Sequence, residues 1–445
     1  MNKQTVNIVT LGCSKNEVDS ELMQSILDKE NFIYSENPMD SEVIIVNTCG
    51  FIEAAKEESI DTILEMSKYK VEGKCKHLIL AGCLAQRYSS ELMDEMPEVD
   101  AIMGTGNIKD LNGILNDLKK EGRIIQSEDV DSSYLEGVDR IVTSPTAYVR
   151  ISEGCDNLCT YCIIPALRGK HRSRKIEDIV SEVEYLADQG VREIILIAQN
   201  TSDYGVDLYG EFSLHSLLDK LNEIEGLEFI RLLYLYPDNI DKQLIDSIKR
   251  NSKVAHYLDI PLQHASDNVL RMMNRRTTKK SILTTIEKLR EEIPDIILRT
   301  TFIVGFPGET EEDFQDLYQF IEEVKFDKLG VFTYSKEENT PAFHLPDQID
   351  ENIKEERRDK LMELQRKISE KLMSHKVGKV YKVMVEELAE EGLYVGRTYM
   401  DSPEIDGVVY FRSEEEHEAG DMVFVRTNEY LEYDLLGELT DESGK

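Results

Sequence analysis

The sequence has no run of about 18 apolar residues, the length that a transmembrane helix needs, so it predicts no membrane span. The first residues contain an apolar run too short for a secretory leader and no small-residue cleavage site, and we therefore expect a cytoplasmic protein. The seven cysteines are an odd number in a compartment that keeps thiols reduced. They favour metal ligation over a framework of disulfides.

Basic residues are few compared with acidic ones: 52 Lys and Arg stand against 87 Asp and Glu, a net charge of −35. Such a field repels RNA, whose binding depends on neutralising phosphates, and attracts a basic protein. Acidity that serves solubility alone is an equally open reading of the total. The net charge alone therefore suggests a basic protein partner only as a hypothesis, which the sequence motifs must support.

The chain length of 445 residues predicts two to four domains, at about 100–200 residues each. In residues 1–120, apolar runs alternate with helical patterns, which predicts βαβ units around a parallel sheet and hence a three-layer α/β domain. The predicted strands are 5–11, 42–48 and 77–82, and the predicted helices are 18–27 and 52–66.

Residues 121–146 are mixed and polar, and we interpret them as a linker. Residues 147–372 carry six further strand patterns separated by helices and a final charged helix, which predicts a partial (β/α)6 barrel. Residues 374–445 change to short alternating segments with tight turns, which predicts a small antiparallel β-barrel.

The most specific motif is the CxxxCxxC formed by Cys155, Cys159 and Cys162 after a predicted strand. Three thiolates at this spacing can hold three irons of a [4Fe–4S] cluster and leave the fourth iron open. A zinc site is the alternative, but it requires a fourth ligand, for which His171 is the local candidate.

A second set of cysteines lies in the N-terminal region. Cys13, Cys49 and Cys83 each follow a predicted strand and are separated by 36 and 34 residues, about one βα unit. Adjacent parallel strands end at one edge of a sheet, so we expect the three thiols to converge there. Burial as small core residues is the alternative. Cys75 starts its strand instead of following it, and we predict that it ligates nothing.

The Cys155–Cys162 loop resembles that of the radical S-adenosylmethionine (SAM) superfamily. In that superfamily the open iron chelates SAM, whose reductive cleavage gives a 5′-deoxyadenosyl radical. Tyr161 matches the aromatic position near the adenine, and residues 301–309 resemble the strand that passes the nucleoside. The resemblance thus implies that Tyr161, Ile303 and Gly305 bind the cofactor; Gln199, which ends another predicted strand, is a further candidate.

Two cysteine trios joined to a small β-barrel resemble the methylthiotransferases over essentially the whole chain. The resemblance implies a cluster domain, a radical SAM barrel and a C-terminal TRAM domain. It implies two [4Fe–4S] clusters, one held by Cys13, Cys49 and Cys83 and carrying sulfur, the other held by Cys155, Cys159 and Cys162 and binding SAM. A second SAM would supply the methyl group.

Members of this family modify either adenosine in tRNA or an aspartate of a ribosomal protein. Residues 11–16, 151–155, 164–169 and 395–407 resemble the protein-modifying branch, whereas the tRNA branches more often have Gln and Met after the first cysteine. Ser402 and Asn200 stand where that branch usually has Ala and Asp. The branch implies methylthiolation of an aspartate β-carbon in small-subunit ribosomal protein twelve, at the decoding centre.

The charge of the C-terminal region points the same way. Residues 374–445 contain seven basic and 18 acidic residues, a net charge of −11. A domain that grips tRNA should be basic, so we expect a basic ribosomal protein as partner and do not expect tRNA. An electron donor protein is also required, and the sulfur donor is not defined by the sequence.

Basic residues cluster after the second cysteine motif and again at 271–276. Arg matches a carboxylate bidentately, so we predict that Arg168 and Arg172 hold the target aspartate. Pairing of these cations with the chain's own acids is the alternative. For the whole protein, the alternatives are a tRNA adenosine methylthiotransferase and a non-catalytic iron–sulfur carrier, although a carrier has no need of a nucleoside pocket.

Overall fold

A computed structural model of the chain describes residues 4–29, 32–127, 136–137 and 140–441. Part of the predicted linker, residues 128–135 and 138–139, lies outside these ranges. The described part of that linker includes a strand, Ile124–Gln126, which belongs to the first sheet. The first sheet therefore extends past residue 120.

The N-terminal region forms a six-stranded sheet in which all neighbouring strands are parallel. Its spatial order is β2-β1-β3-β4-β5-β6 for strands β1 (Thr5–Thr10), β2 (Ile33–Tyr34), β3 (Val43–Thr48), β4 (His77–Ala81), β5 (Ala101–Met103) and β6 (Ile124–Gln126). All six residues of β3 are buried, as a central strand covered on both faces requires.

Helices cover both faces of this sheet and give the predicted three layers. They are α1 (Ser14–Lys29), α2 (Glu53–Ser67), α3 (Tyr69–Glu72), α4 (Gly82–Arg87), α5 (Ser89–Glu95) and α6 (Leu111–Glu121). One face packs on α1 and α6 through Leu22 and Leu115, and the other packs on α2 through Ile63.

The second region forms an open sheet of six parallel strands, β14-β13-β12-β11-β10-β7, in chain order from one edge to the other. This is the predicted partial (β/α)6 barrel. The strands of the region, including the short antiparallel pair β8–β9, are β7 (Thr146–Arg150), β8 (Ser152–Glu153), β9 (Arg172–Ser173), β10 (Glu193–Ile197), β11 (Phe229–Leu232), β12 (Val254–Asp259), β13 (Ile297–Val304) and β14 (Lys328–Thr333).

Amphipathic helices pack on the outer face of this sheet and form the largest apolar core with it. They are α8 (Ile176–Asp188), α10 (Leu214–Leu221), α11 (Lys242–Arg250), α12 (Asp267–Met272), α13 (Lys279–Glu292) and α14 (Glu311–Val324). The region also contains the short helices α7 (Ile164–Arg168) and α9 (Val206–Tyr209). The long helix α15 (Glu351–Ser374) packs Leu361 and Ile368 onto the same core before the chain enters its last region.

The last region is a closed five-stranded barrel of order β15-β16-β17-β19-β18. Its strands are β15 (Val380–Glu390), β16 (Leu393–Arg397), β17 (Val409–Arg412), β18 (Met422–Tyr430) and β19 (Leu435–Leu439). Four of the five pairings are antiparallel, in line with the prediction, and β17 pairs with β19 in parallel.

The small barrel docks on the second sheet through buried ions. Arg397 Nη2 lies 2.7 Å from Glu193 Oε2, and Arg231 Nε lies 2.8 Å from Glu193 Oε1. Glu193 is the first residue of β10, so the barrel meets the amino-terminal ends of the strands. Burial alone would raise the pKa of Glu193, but the two guanidiniums outweigh it and hold that pKa below its ordinary value.

None of the helices in the described part of the chain combines the length and the apolar character that a bilayer crossing requires.

We expect Glu193→Gln to lower the free energy of unfolding by about 3–5 kcal/mol, because it removes the carboxylate that two buried guanidiniums share. Urea denaturation followed by circular dichroism measures the loss. Glu363→Gln is the control, since the Glu363 carboxylate pairs with Arg366 on the exposed face of α15. Equal shifts in the two variants would contradict this account of the docking.

Candidate active site

The first cysteine trio meets at one edge of the first sheet. Cys13 follows β1, Cys49 follows β3 and Cys83 lies at the start of α4, just after β4. The strands β1, β3 and β4 are neighbours, so their carboxyl ends lie side by side. Gly12 has φ +91°, and a Cβ there would lie 2.8 Å from Cys49 Sγ. This glycine therefore allows the Cys13 loop to approach the second thiol.

The second trio lies on a loop that follows β8. Gly154, at φ +77°, passes so close to Lys170 that a Cβ would lie 2.1 Å from its carbonyl oxygen. The loop is anchored at its centre, where the Thr160 amide donates to the Met273 carbonyl at 3.1 Å. The Asn274 side-chain amide also donates to the Leu158 carbonyl, at 2.7 Å. The neighbouring α12 thus fixes the conformation of the cysteine loop.

Both trios line a single cavity of about 400 Å³. Cys75 lies outside it, buried with Leu78 and Val99 in the core of the first domain. Among the described residues that line the cavity, none is Asp or Glu, although the chain has 87 of them. Three cations line it: Lys15, Arg168 and Arg275. The cavity is thus a basic, thiol-rich space inside a strongly acidic protein.

The thiols fit a polynuclear cluster better than a single metal ion. Thiolates on one tetrahedral zinc lie about 4 Å apart, given a Zn–S bond of about 2.3 Å. In the described part of the chain, no three His, Cys, Asp or Glu side chains form a site for one ion. Cluster cysteines bind different irons and are more widely spaced. Each trio supplies the three thiol donors that a [4Fe–4S] cluster with one open iron uses.

His171, the alternative zinc ligand, is not among the residues that line the cavity. Its Nε2 lies 3.1 Å from Ser173 Oγ and 3.5 Å from a carboxylate oxygen of Asp207. The described geometry therefore gives no support to a zinc site built from the second trio and this histidine.

Of the six cavity cysteines, Cys83 is buried, Cys13 is exposed and the other four are half-buried. Burial raises the pKa of Cys49 to about 11 and that of Cys162 to about 12. Burial also raises the pKa of Cys83, and the positive charge of Arg168 opposes this shift. Metal ligation requires thiolates, so loading of the site must release these protons.

A buried quartet of charges joins the two trios. Arg150 lies 2.6 Å from both Asp19 and Glu153, and Arg168 lies 3.3 Å from Asp19 and 3.2 Å from Glu153. All four side chains are at most 2% exposed. Asp19 is on α1, which begins next to Cys13, and Glu153 directly precedes the Gly154–Cys155 turn. The quartet therefore fixes one trio relative to the other.

Asn16 reinforces this junction. Its side-chain amide donates to the carbonyls of Leu11 and Thr48, at 2.8 and 3.0 Å, and so joins the loops that carry Cys13 and Cys49. Its side-chain oxygen accepts from Arg168 at 3.0 Å. One side chain thus connects two of the cysteine loops to the charge quartet.

The two predicted carboxylate binders are placed differently from each other. Arg168 lines the cavity, but its guanidinium already pairs with two carboxylates of this chain, which is the alternative that the sequence left open. Arg172 does not line the cavity, and its guanidinium donates to the Arg168 carbonyl at 3.2 Å. Arg168 is accordingly a structural residue between the trios.

The predicted cofactor-binding residues divide into two groups. Tyr161 and Gln199 line the cavity, and Gln199 Nε2 donates to Glu153 Oε1 at 2.5 Å. Ile303 lies behind the cavity, in the apolar cluster that also contains Tyr161. Gly305 is further away, with its amide hydrogen-bonded to the Glu309 carboxylate. Cofactor roles for these four residues stay predictions.

The cavity residues that had no assigned role in the sequence include Lys15, Thr301 and Gln263. Thr301 precedes the predicted Ile303 by two positions on β13, and the strand contributes this earlier residue to the lining. Gln263 has φ 72°, a strained backbone that no local pattern indicates. Lys15 stands two residues after Cys13, and its charge in a cysteine motif was the available signal.

Three family models match the chain in the order of its three folded regions. Residues 5–104 match the model described as uncharacterized protein family UPF0004. Residues 149–321 match the radical SAM superfamily, and residues 377–440 match the TRAM domain. The second match contains the second cysteine trio, and the first contains the other.

Curated relatives align over nearly the full chain. A protein of Clostridioides difficile (strain 630) named ribosomal protein uS12 methylthiotransferase RimO is 51% identical over 98% of this chain and 99% of its own length. Proteins with the same name from Clostridium botulinum (strain Okra / Type B1) and Desulforamulus reducens are 52% and 51% identical, with coverage of at least 98% on both sides.

Solved structures share the fold at low sequence identity. The radical SAM methyltransferase TsrM from Kitasatospora setae matches 74% of this chain and 73% of its own, with a TM-score of 0.55 and 14% identity. The cobalamin-dependent radical SAM enzyme OxsB matches 83% of this chain and 56% of its own, with a TM-score of 0.52 and 14% identity. These likenesses confirm the predicted fold class.

We expect Glu153→Gln to destabilise the protein less as the pH falls. The quartet and its neighbours hold the pKa of Glu153 at about 2 against an ordinary value of 4.5, because its cationic and hydrogen-bonding partners outweigh burial. A lowered pKa stabilises the fold above pH 4.5, and this contribution disappears as the pH falls towards 2. Urea midpoints of the iron-free wild type and variant should therefore differ more at pH 6 than at pH 3. A difference that stays constant or widens in acid would contradict this assignment.

Proposed function

The chain belongs to the family of ribosomal protein uS12 methylthiotransferases named RimO, and from this premise we propose that it adds a methylthio group to the β-carbon of an aspartate in uS12. Membership in this family confirms the prediction that the chain is a radical SAM methylthiotransferase. The alternatives, a tRNA-modifying enzyme and a non-catalytic iron–sulfur carrier, do not match the function in the relatives' names. We place the reaction in the cytoplasm, where ribosomes are available as substrates.

The observation that carries this proposal is the single cavity lined by six thiols. Cys13, Cys49 and Cys83 would hold one [4Fe–4S] cluster, and a second would be held by Cys155, Cys159 and Cys162. When bound, the clusters and SAM supply the radical and the sulfur that the family resemblance implies. Tyr161 and Gln199 line the side of the cavity where SAM would lie. Ile303 is on β13 behind Tyr161, and Gly305 directly follows the end of that strand.

The residues of the chain position and isolate the reaction. Because both trios open into one cavity, a substrate side chain can reach both without leaving it. The Arg150–Asp19–Arg168–Glu153 quartet keeps the two trios at a fixed separation. Apolar lining residues, including the half-buried Ile164 and the buried Leu235, limit the water that could react with a radical.

Electrostatics supports a basic protein substrate. The net charge of −35, with −11 in residues 374–445, favours encounter with a basic ribosomal protein and disfavours tRNA. The small barrel meets the amino-terminal ends of the second sheet, whereas the cysteines lie past the carboxyl ends. The negative charge of the small barrel would therefore attract the basic partner from a distance. An electron donor protein and a sulfur donor complete the predicted partners.

We expect the iron-loaded enzyme, with SAM, sulfide and a reductant under anaerobic conditions, to add a methylthio group to uS12 and none to tRNA. Mass spectrometry of both substrates from one reaction decides between them. Methylthiolated adenosine with unmodified uS12 would replace the proposed substrate by tRNA. Absence of 5′-deoxyadenosine from a fully loaded enzyme would favour the carrier.

We expect reconstituted wild type to bind about eight irons and Cys83→Ala about four, because an incomplete trio loses its cluster. Cys75→Ala is the matched control, since Cys75 is also a buried cysteine of the first domain but lies outside the cavity. It should retain about eight irons. Loss of iron from Cys75→Ala, or none from Cys83→Ala, would contradict the proposed ligand set.

A further inference from the structure

Lys15 is a buried cation with no counter-charge. It is 8% exposed and lines the cavity, and its Nζ lies 3.2 Å from the centre of the Tyr234 ring. In the described part of the chain, the structure gives its ammonium no carboxylate within ion-pair distance and no hydrogen-bond acceptor. A desolvated ammonium has three N–H groups to satisfy, and a ring face alone compensates only part of that cost.

The other two cations of the cavity are differently engaged. Arg168 is neutralised by Asp19 and Glu153. Arg275 stacks at 4.2 Å on Tyr236, donates to the Pro261 carbonyl at 2.9 Å and lies 3.4 Å from the Tyr161 hydroxyl. Its contact with Tyr161 places it beside the second cysteine trio. Of the three cavity cations, Lys15 is thus the one that lies beside the first trio and has no anionic partner among the described residues.

We propose that Lys15 binds the side-chain carboxylate of the aspartate that is modified. The inference rests on the proposed function and deepens it, because it names the residue that recognises the reacting side chain. Lys15 lies two residues after Cys13, at the trio from which sulfur would be delivered. A carboxylate held there places the neighbouring β-carbon in the cavity between the two trios.

The surroundings of Lys15 suit this role. Its backbone carbonyl accepts from Arg150, so its position on α1 is fixed by the charge quartet. Tyr234 holds the ammonium from one side without neutralising it. None of the described lining residues is Asp or Glu, so a carboxylate for Lys15 must come from a bound molecule. SAM would be held at the second trio, which leaves the substrate aspartate for the site beside the first. Lys15 therefore selects for a substrate with a negative charge at the reacting side chain.

The test compares two forms of uS12, one with the natural target aspartate and one with asparagine in its place. Asparagine keeps the shape and removes the charge. Binding of each form to the iron-loaded enzyme is measured by anaerobic fluorescence anisotropy. We expect wild type to prefer the aspartate form on the order of tenfold or more, as for a desolvated charge-assisted pair. Lys15→Met, of similar length and neutral, should bind the two forms equally.

Two further variants sharpen the comparison. Lys15→Arg keeps the charge and should retain part of the preference for aspartate. Lys74→Met removes an exposed lysine of the same domain, which pairs with Asp40, and should keep the wild-type ratio. A Lys15→Met enzyme that still prefers the aspartate form would overturn the proposal. So would a fall in SAM affinity or iron content with an unchanged ratio, because Lys15 would then serve the cofactors.

Turnover of uS12 by wild type is measured in the same preparation. If wild type modifies uS12 but binds its two forms equally, the role of Lys15 fails and the proposed function stands. If wild type leaves natural uS12 unmodified, the proposed function fails, and the role of Lys15 fails with it.

Discussion

Two arginines and two carboxylates, all buried, fix the position of one cysteine trio relative to the other. Arg150 and Arg168 bridge Asp19 on α1 and Glu153 beside the second cysteine loop. Burying four charges is costly, and a balanced set with several hydrogen bonds offsets the cost only in one geometry. The arrangement is therefore specific as well as stable. Everything that the cavity does depends on a distance between trios that this contact sets.

The features that could be predicted from the sequence are those that depend on local patterns of residues. Strand–helix alternation gave the parallel sheets, and a cysteine after each of β1, β3 and β4 gave their convergence at one edge. The predicted linker was too long because Ile124–Gln126 is a short strand with a weak pattern. The sequence left open that Arg168 pairs with the chain's own acids, but it could not identify Asp19 as a partner, because the two residues are far apart in the chain. An ion pair between two domains is not indicated by the spacing of its residues along the sequence.

Charge is distributed unevenly at two scales. Over the whole chain, acids outnumber bases and favour encounter with basic partners. In the cavity the balance reverses: Lys15, Arg168 and Arg275 face six thiols, and no carboxylate is among the described lining residues. Thiolates and an aspartate side chain both bring negative charge, and a cavity lined by acids would repel them. The surface attracts the partner, and the interior receives its acidic side chain.

The quartet also has a consequence for how such proteins can change over generations. One of its four members, Asp19, is encoded with the first domain, and the other three with the second. A recombination event that replaced either domain by a version without its quartet residues would leave the remaining charges buried and unpaired. The two domains are separate folds, yet this contact makes each of them depend on matching residues of the other.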